Sequence, residues 1–241
     1  MPGLGTIVNT VAIIVSGVIG LYFGKLFKKD FEDILIKACG ISVIFIGIAG
    51  ALEKMLSVSN GALVTSKSMF IVLSLVIGGF LGELINNEGL FTKFGDFLKR
   101  KTNSEKDKDF IDAFITTSLT VTFGAMSIIG AINDGLYHDY SVLYTKTVLD
   151  VIVVATLSSS LGKGCIFSAI PTLLFQGLIT LLSVFIQPIM TPDVISNFSM
   201  IGSILLFGVG VNLVFGKKIK VANYLPALIV AVILTLLPLG L

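Results

Sequence analysis

Apolar residues along this chain do not alternate with polar ones; they continue in stretches near twenty residues long, parted by short polar joints. Each stretch is long enough to cross a hydrocarbon layer of about 30 Å as a helix. Backbone groups in lipid must be satisfied inside helices or closed barrels. The pattern predicts eight spans, at residues 4–24, 34–53, 66–87, 110–132, 141–161, 164–188, 194–215 and 221–239. The expected fold class is therefore all-α, a polytopic helical membrane protein forming a single integral membrane domain over 1–241. An outer-membrane barrel is disfavoured, because the runs are too long and lack the alternation its strands need.

One connection, at about 88–109, is long and polar. Its first part, GLFTKFGDFLKRK, sets Leu90, Phe91, Phe94, Phe97 and Leu98 at helical spacing, with Lys93, Lys99, Arg100 and Lys101 nearby. That arrangement suits a short amphipathic helix in the membrane interface. The following TNSEKDKD reads as a solvated cytoplasmic loop.

Composition supports the lipid reading. The chain is 54% hydrophobic and 13% charged, with mean hydropathy +0.99, whereas soluble domains carry about 25% charged residues. Of the 17 lysines and arginines, only Lys54, Lys67 and Lys146 fall outside or in the outer half once the N-terminus is placed outside. The others, from Lys25, Lys28, Lys29 and Lys37 to Lys217, Lys218 and Lys220, gather on the inner side, and Lys106 lies there too. This bias sets both termini outside, with Tyr137, Tyr140 and Tyr144 as an aromatic anchor at the outer interface. The first helix has no basic leader or small-residue cleavage site and is expected to be retained.

Several function classes lose support. Net charge is +2 with the basic residues in loops, so no nucleic-acid partner is expected. Cys39 and Cys165 are isolated, which gives neither a metal motif nor a disulfide framework. His138 is the single histidine, too few for a His metal cluster or a Ser–His–Asp triad. Gly162-Lys163-Gly164 lacks P-loop spacing. The expectation is a non-enzyme with no catalytic residues, no metal and no cofactor, whose partners are the lipid bilayer and a small cation or solute.

Internal similarity is visible. VIGLYFGKLF (Val18 to Phe27) resembles VIGGFLGELI (Val76 to Ile85), and FIGIAGAL (Phe45 to Leu52) more faintly resembles LFGVGVNL (Leu206 to Leu213). The second match relates oppositely directed spans, as in transporters built from inverted repeats; chance likeness of Gly-, Ile- and Leu-rich helices is the alternative. Gly20 and Gly24, like Gly78 and Gly82, stand at the spacing that lets helix backbones approach closely. Packing within the protomer is the first use of such faces and a homo-oligomer contact the second.

The candidate chemistry lies between Phe123 and Gly177. On span four, Asp112, Thr116, Thr120, Gly124, Ser127, Ala131 and Asp134 fall within an arc of about 120°, a stripe that can line a hydrated path or pack helices. Lys146 and Asp150 share a face of span five, with Asp150 near mid-bilayer. An ionised group there is costly unless paired or hydrated. The two are either a structural ion pair or a switchable carboxylate for H⁺ or Na⁺ with Lys146 competing. Span six adds Ser168, Gln176 and Pro171, whose missing N–H predicts a helix break. Asn133 neighbours Asp134. Asn9, Thr10 and Asn212 are weaker candidates, while Glu53 and Glu83 lie at hydrated span ends.

The order GAMSIIGAINDG, then Y-x-K-T-x-L-D, then G-K-G-x-x-F-S-A-I-P-x-L-L-x-Q-G resembles the signature of a bacterial domain-of-unknown-function membrane family that includes YqgA- and YdfK-type proteins. The likeness spans essentially the whole chain. Asn133 stands where glutamine is expected, and Ala125 where proline is common. The resemblance implies a multi-pass protein of the bacterial inner membrane, loosely associated with biofilm formation in one branch, and supplies no reaction. Two functions stay open. One is a transporter or channel for a small solute or ion with its site around Asp150 and Lys146. The other is a non-transporting scaffold or sensor of envelope physiology.

Overall fold

Helices take up the apolar runs in order. The computed structural model describes residues 2–24, 29–59, 61–105 and 107–237; Lys25, Lys28, Lys106 and the end of the eighth expected span lie outside the described residues. The elements are α1 Leu4–Gly24, α2 Lys29–Met55, strands β1 Leu56–Ser59 and β2 Ala62–Thr65, α3 Ser68–Ile85, α4 Asn87–Lys101, α5 Phe110–Thr122, α6 Ala125–Tyr137, α7 Ser141–Leu161, α8 Ala169–Leu181, α9 Ser183–Ile186, α10 Pro192–Phe215 and α11 Pro226–Leu236. The 3₁₀ turns Lys163–Ser168 and Val221–Tyr224 lead into α8 and α11. Among the described residues, six helical stretches are long and apolar enough to cross a membrane, or seven if the bent pair α5–α6 is one span. Ile7, Val11 and Val18 on α1, Val76 and Phe80 on α3, and Val148 and Ile152 on α7 are exposed. A soluble surface rarely carries so much apolar area; lipid solvates it.

Four details depart from expectation. Span four is not one rod: Phe123 and Gly124 are both extended, and α5 and α6 meet at a 62° bend. The stripe on span four is accordingly split. Asp112 is exposed and Thr116 and Thr120 half-buried, while Ser127, Ala131 and Asp134 are buried on α6. Pro171, conversely, makes no mid-span break. It sits in the first turn of α8, where a backbone N–H has no intrahelical partner to lose. The eighth span is represented by a shorter apolar helix, Val221–Leu236. The joint between α2 and α3 is an antiparallel hairpin pairing Leu56 with Thr65 and Ser59 with Ala62.

Packing divides the chain into two units, Met1–Cys39 with Phe91–Ile189, and Gly40–Leu90 with Met190–Leu241. In the first, α1 lies along α7. A Cβ on Gly20 would strike the Ala155 carbonyl and one on Gly24 the Ser159 carbonyl, so the glycines set how closely the helices approach. Ser158 Oγ donates to the Gly17 carbonyl at 2.7 Å, fixing their register. Ile13, Val121, Val154 and Ala169 form a buried cluster where α1, α5, α7 and α8 meet. The amphipathic α4 turns Phe91 and Phe94 onto Phe114 of α5, at ring centroid distances of 6.2 and 5.8 Å.

In the second unit, Gly78 and Gly82 of α3 face Ala227 and the Asn223 backbone. Gly47 and Gly50 of α2 face Phe207 and Ser203 of α10. The two stretches matched as FIGIAGAL and LFGVGVNL thus pack on each other, and one close contact demands small residues from both. Glu83 pairs with Lys220 at 3.0 Å and accepts from Asn223 Nδ2 at 2.6 Å. Asn223 Oδ1 receives the Glu88 N–H at 2.7 Å, closing a latch at the α3–α4 corner. Asn212 secures the loop after α10, its side chain receiving the N–H groups of Lys218 and Ile219 at 2.8 and 2.9 Å.

Each unit also contains the same local device. In the first, α7 ends at Gly162 (φ +92), followed by Lys163, a 3₁₀ turn and a helix with Pro171 in its first turn. In the second, α10 ends at Gly216 (φ +75), followed by Lys217, a 3₁₀ turn and Pro226 opening α11. Glycine is suited to both stops because a left-handed backbone clashes with a Cβ.

Candidate functional site

Five polar side chains and one main-chain oxygen converge inside the first unit, drawn from α1, α5, α6, α7 and α8. Lys146 and Asp150, one turn apart on α7, are each 6% exposed. Lys146 Nζ donates to Asp150 Oδ2 and, at 2.6 Å, to the Val121 carbonyl. That carbonyl belongs to the last turn of α5, where helix termination at Thr122 leaves acceptors without intrahelical donors. Asn9 Nδ2 of α1 donates to Asp150 Oδ2 at 3.1 Å and to Gln176 Oε1 at 3.4 Å. Gln176 Nε2 reaches Ser127 Oγ on α6 at 3.4 Å. Asn9, Gln176 and Ser127 are fully buried.

Amide orientation is set by charge. The Asn9 atom facing the carboxylate must be its NH₂ group, because a carbonyl oxygen there would be repelled. Asn9 Oδ1 is thereby left buried with no hydrogen-bond partner among the described residues. A buried acceptor without a donor costs about 1–3 kcal/mol. The ion pair is itself expensive to desolvate and needs every remaining hydrogen bond.

The surroundings grade from polar to apolar along α1 and α7. One turn beyond Asn9 and Asp150 stand Ile13 and Val154, both fully buried in the apolar cluster. In the other direction, Thr6 Oγ1 lies 3.3 Å from Thr180 Oγ1. Asp134 of α6 accepts from Gly3 N at 2.8 Å and Thr6 N at 3.2 Å, capping α1 from a different helix. A carboxylate suits the positive end of a helix dipole, and losing such a cap costs about 0.5–2 kcal/mol. Asp134 therefore holds in place the helix that presents Asn9. At the start of α7, Asp139 accepts the Ser141 N–H at 3.0 Å, which holds its carboxyl below the ordinary carboxylate range. The neighbouring Thr122 and Thr172 hydroxyls meet at 2.9 Å.

Among the residues expected from sequence, the structure brings Lys146, Asp150, Gln176 and Ser127 together. Thr116 and Thr120 stay apart, Thr120 bonding back to the Thr116 carbonyl at 2.8 Å. Ser168 bonds locally to the Cys165 carbonyl at 2.7 Å. Asn133 is half-buried, its carbonyl accepting the Asp139 N–H at 3.3 Å. Asn9, ranked low in the sequence, is central, and the Val121 carbonyl was invisible there. The threonine pairs were missed as well, since hydroxyls on separate spans give no sequence spacing to read.

Many apolar helices around a buried charged pair define a multi-pass helical membrane protein. The family described as "Protein of unknown function (DUF554)" matches over residues 4–236, and this chain belongs to it. An "Uncharacterized membrane protein YdfK" from Bacillus subtilis (strain 168) is 33% identical over 226 residues, covering 94% of this chain and 93% of that protein. An "Uncharacterized protein YqgA" from Escherichia coli (strain K12) is 25% identical over 232 residues, covering 95% and 94%. No solved structure gives a significant match.

Proposed function

We propose that this chain is a transporter or channel for a small ion or solute, with its site at Lys146 and Asp150. The single observation carrying this reading is that pair, buried in a membrane helix and bonded to side chains and backbone from neighbouring helices. Ionisable residues inside spans normally face a bundle interior or cavity and mark ion and substrate pathways. The helix interrupted at Phe123–Gly124 supports it further, since broken helices supply free backbone polarity at transport sites. The proposed action moves a species and makes or breaks no covalent bond. Protein reconstituted into vesicles should pass one member of a panel of small ions and solutes, and Asp150→Asn should abolish that flux. Equal flux through Asp150→Asn, or none through the wild type across the panel, would sink the proposal. The scaffold alternative draws on α4, which leaves Leu90 and Phe97 exposed beside Lys99, Arg100 and Lys101; it expects no wild-type flux.

The proposed setting is the bacterial inner membrane with both termini outside, from the distribution of basic residues. With Cys39 and Cys165 replaced by alanine, a cysteine at Asp193 should react with an impermeant thiol reagent applied to intact cells. One at Asn103 should react only after the membrane is opened. The opposite pattern reverses the topology.

A further inference from the structure

We propose that the Lys146 ammonium is a tethered stand-in occupying a site for a small monovalent cation of the sodium class. This deepens the transport reading above and rests on the same residues.

The ammonium is held by the Asp150 carboxylate and the Val121 carbonyl, two oxygens that would serve a bare cation equally well. Hydrogen bonds continue from Asp150 through Asn9 Nδ2 to Gln176 Oε1 and from Gln176 Nε2 to Ser127 Oγ, and the Asn9 amide in this chain leaves its Oδ1 unpartnered among the described residues. An acceptor buried without a donor is served by a cation or by a donor that arrives with the ligand, and Lys146 does not reach it. The donor atoms are all oxygen, from carboxylate, carbonyl, amide and hydroxyl groups. Hard cations take such ligands, whereas zinc and copper favour sulfur and imidazole. Among the described residues, no group of three or more His, Cys, Asp or Glu gathers as a metal cluster.

Charge selects a monovalent ion. Asp150 is the carboxylate in the network, because Asp134 is engaged with the Gly3 and Thr6 amides. One negative charge balances one positive charge in a buried setting, and a divalent ion would leave an excess that low dielectric makes costly. The Val121 oxygen comes from an interrupted helix, the kind of backbone that coordinates sodium in transporters built on broken helices. The arriving cation takes the two oxygens as Lys146 withdraws. Ion and lysine therefore compete for one place.

The test uses full-length protein in lipid nanodiscs, titrated with sodium, lithium or potassium chloride against choline chloride at constant ionic strength, with thermal unfolding as the readout. Lys146→Met removes the competitor and should bind at least one of the three ions ten-fold or more tightly than the wild type does. Asn9→Leu added to Lys146→Met should weaken that binding ten-fold or more, and Asp150→Asn should abolish it. Lys146→Met that folds with an alkali cation and not in choline supports the proposal equally. Lys146→Met unfolding identically in all four salts, or failing to fold in any of them, overturns it, as does undiminished binding after Asn9→Leu. Flux separates this from the broader reading. Ion binding without any transport defeats the transporter and leaves the cation site standing, while flux of a neutral solute with no cation effect does the reverse.

Discussion

Asp150→Leu should lower stability by roughly 3–5 kcal/mol in choline-based buffer, and adding Lys146→Met should restore most of that loss. Removing one partner of a buried ion pair strands the other charge, a change that typically costs roughly 3–5 kcal/mol. Replacing both partners by apolar groups of similar size is often close to neutral. Among the described residues, Lys146 in the single variant keeps only the Val121 carbonyl, and Asn9 Nδ2 keeps only Gln176. The check is a double-mutant cycle on detergent- or nanodisc-embedded protein, read by thermal or denaturant midpoints. Losses that simply add across the two sites would show that the charges do not depend on each other. The cycle also separates stability from action, because the restored double variant should still carry no flux.

Gly20→Ile should cost about 1–3 kcal/mol, the usual penalty of overpacking a tight contact. The obstruction here is main chain: the new Cβ would meet the Ala155 carbonyl, and no rotamer change relieves that. α1 must then shift against α7. Asn9 rides on α1 and Asp150 on α7, so the substitution should also weaken whatever binds at the pair, although it touches neither residue. Ile19, next in sequence and 47% exposed, supplies the control, since Ile19→Leu should leave both stability and binding unchanged. If Gly20→Ile matches the wild type in unfolding midpoint, the α1–α7 contact is looser than the glycines indicate.

The fold class was legible because long apolar runs leave lipid-spanning helices as their solution. Boundaries were legible where glycine, proline or charge marks them, as at Gly24, Gly162 and Gly216. The break in span four was not, although Gly124 precedes a position where the resemblance puts proline. Position 125 is the first residue of α6, and proline there marks a helix beginning, so the hint described a restart. Pro171 misled for the same reason, being read as a break when it marks a start. The hairpin also left a mark: Asn60-Gly61 between two short runs is a hairpin signal, in a joint for which no element was expected. At the site, charge in an apolar run identified Lys146 and Asp150. Asn9 was under-weighted because one amide near a chain start carries no spacing, and the Val121 carbonyl is main chain that no residue type announces.

The device shared by the two units lets them be laid side by side. As far back from Gly216 as Lys146 and Asp150 lie from Gly162 stand Met200 and Ile204. Met200 is fully buried, in a helix with the same glycine stop, lysine and 3₁₀ exit. The molecule therefore already contains a counterpart of α7, the helix α10, that forms its helix and its turn with Met200 and Ile204 in place of the lysine and aspartate. The glycine stop and 3₁₀ exit thus form without such a pair. On the transport reading proposed above, the unit that carries lysine and aspartate is the one that handles the ion, and the other unit serves as its uncharged support.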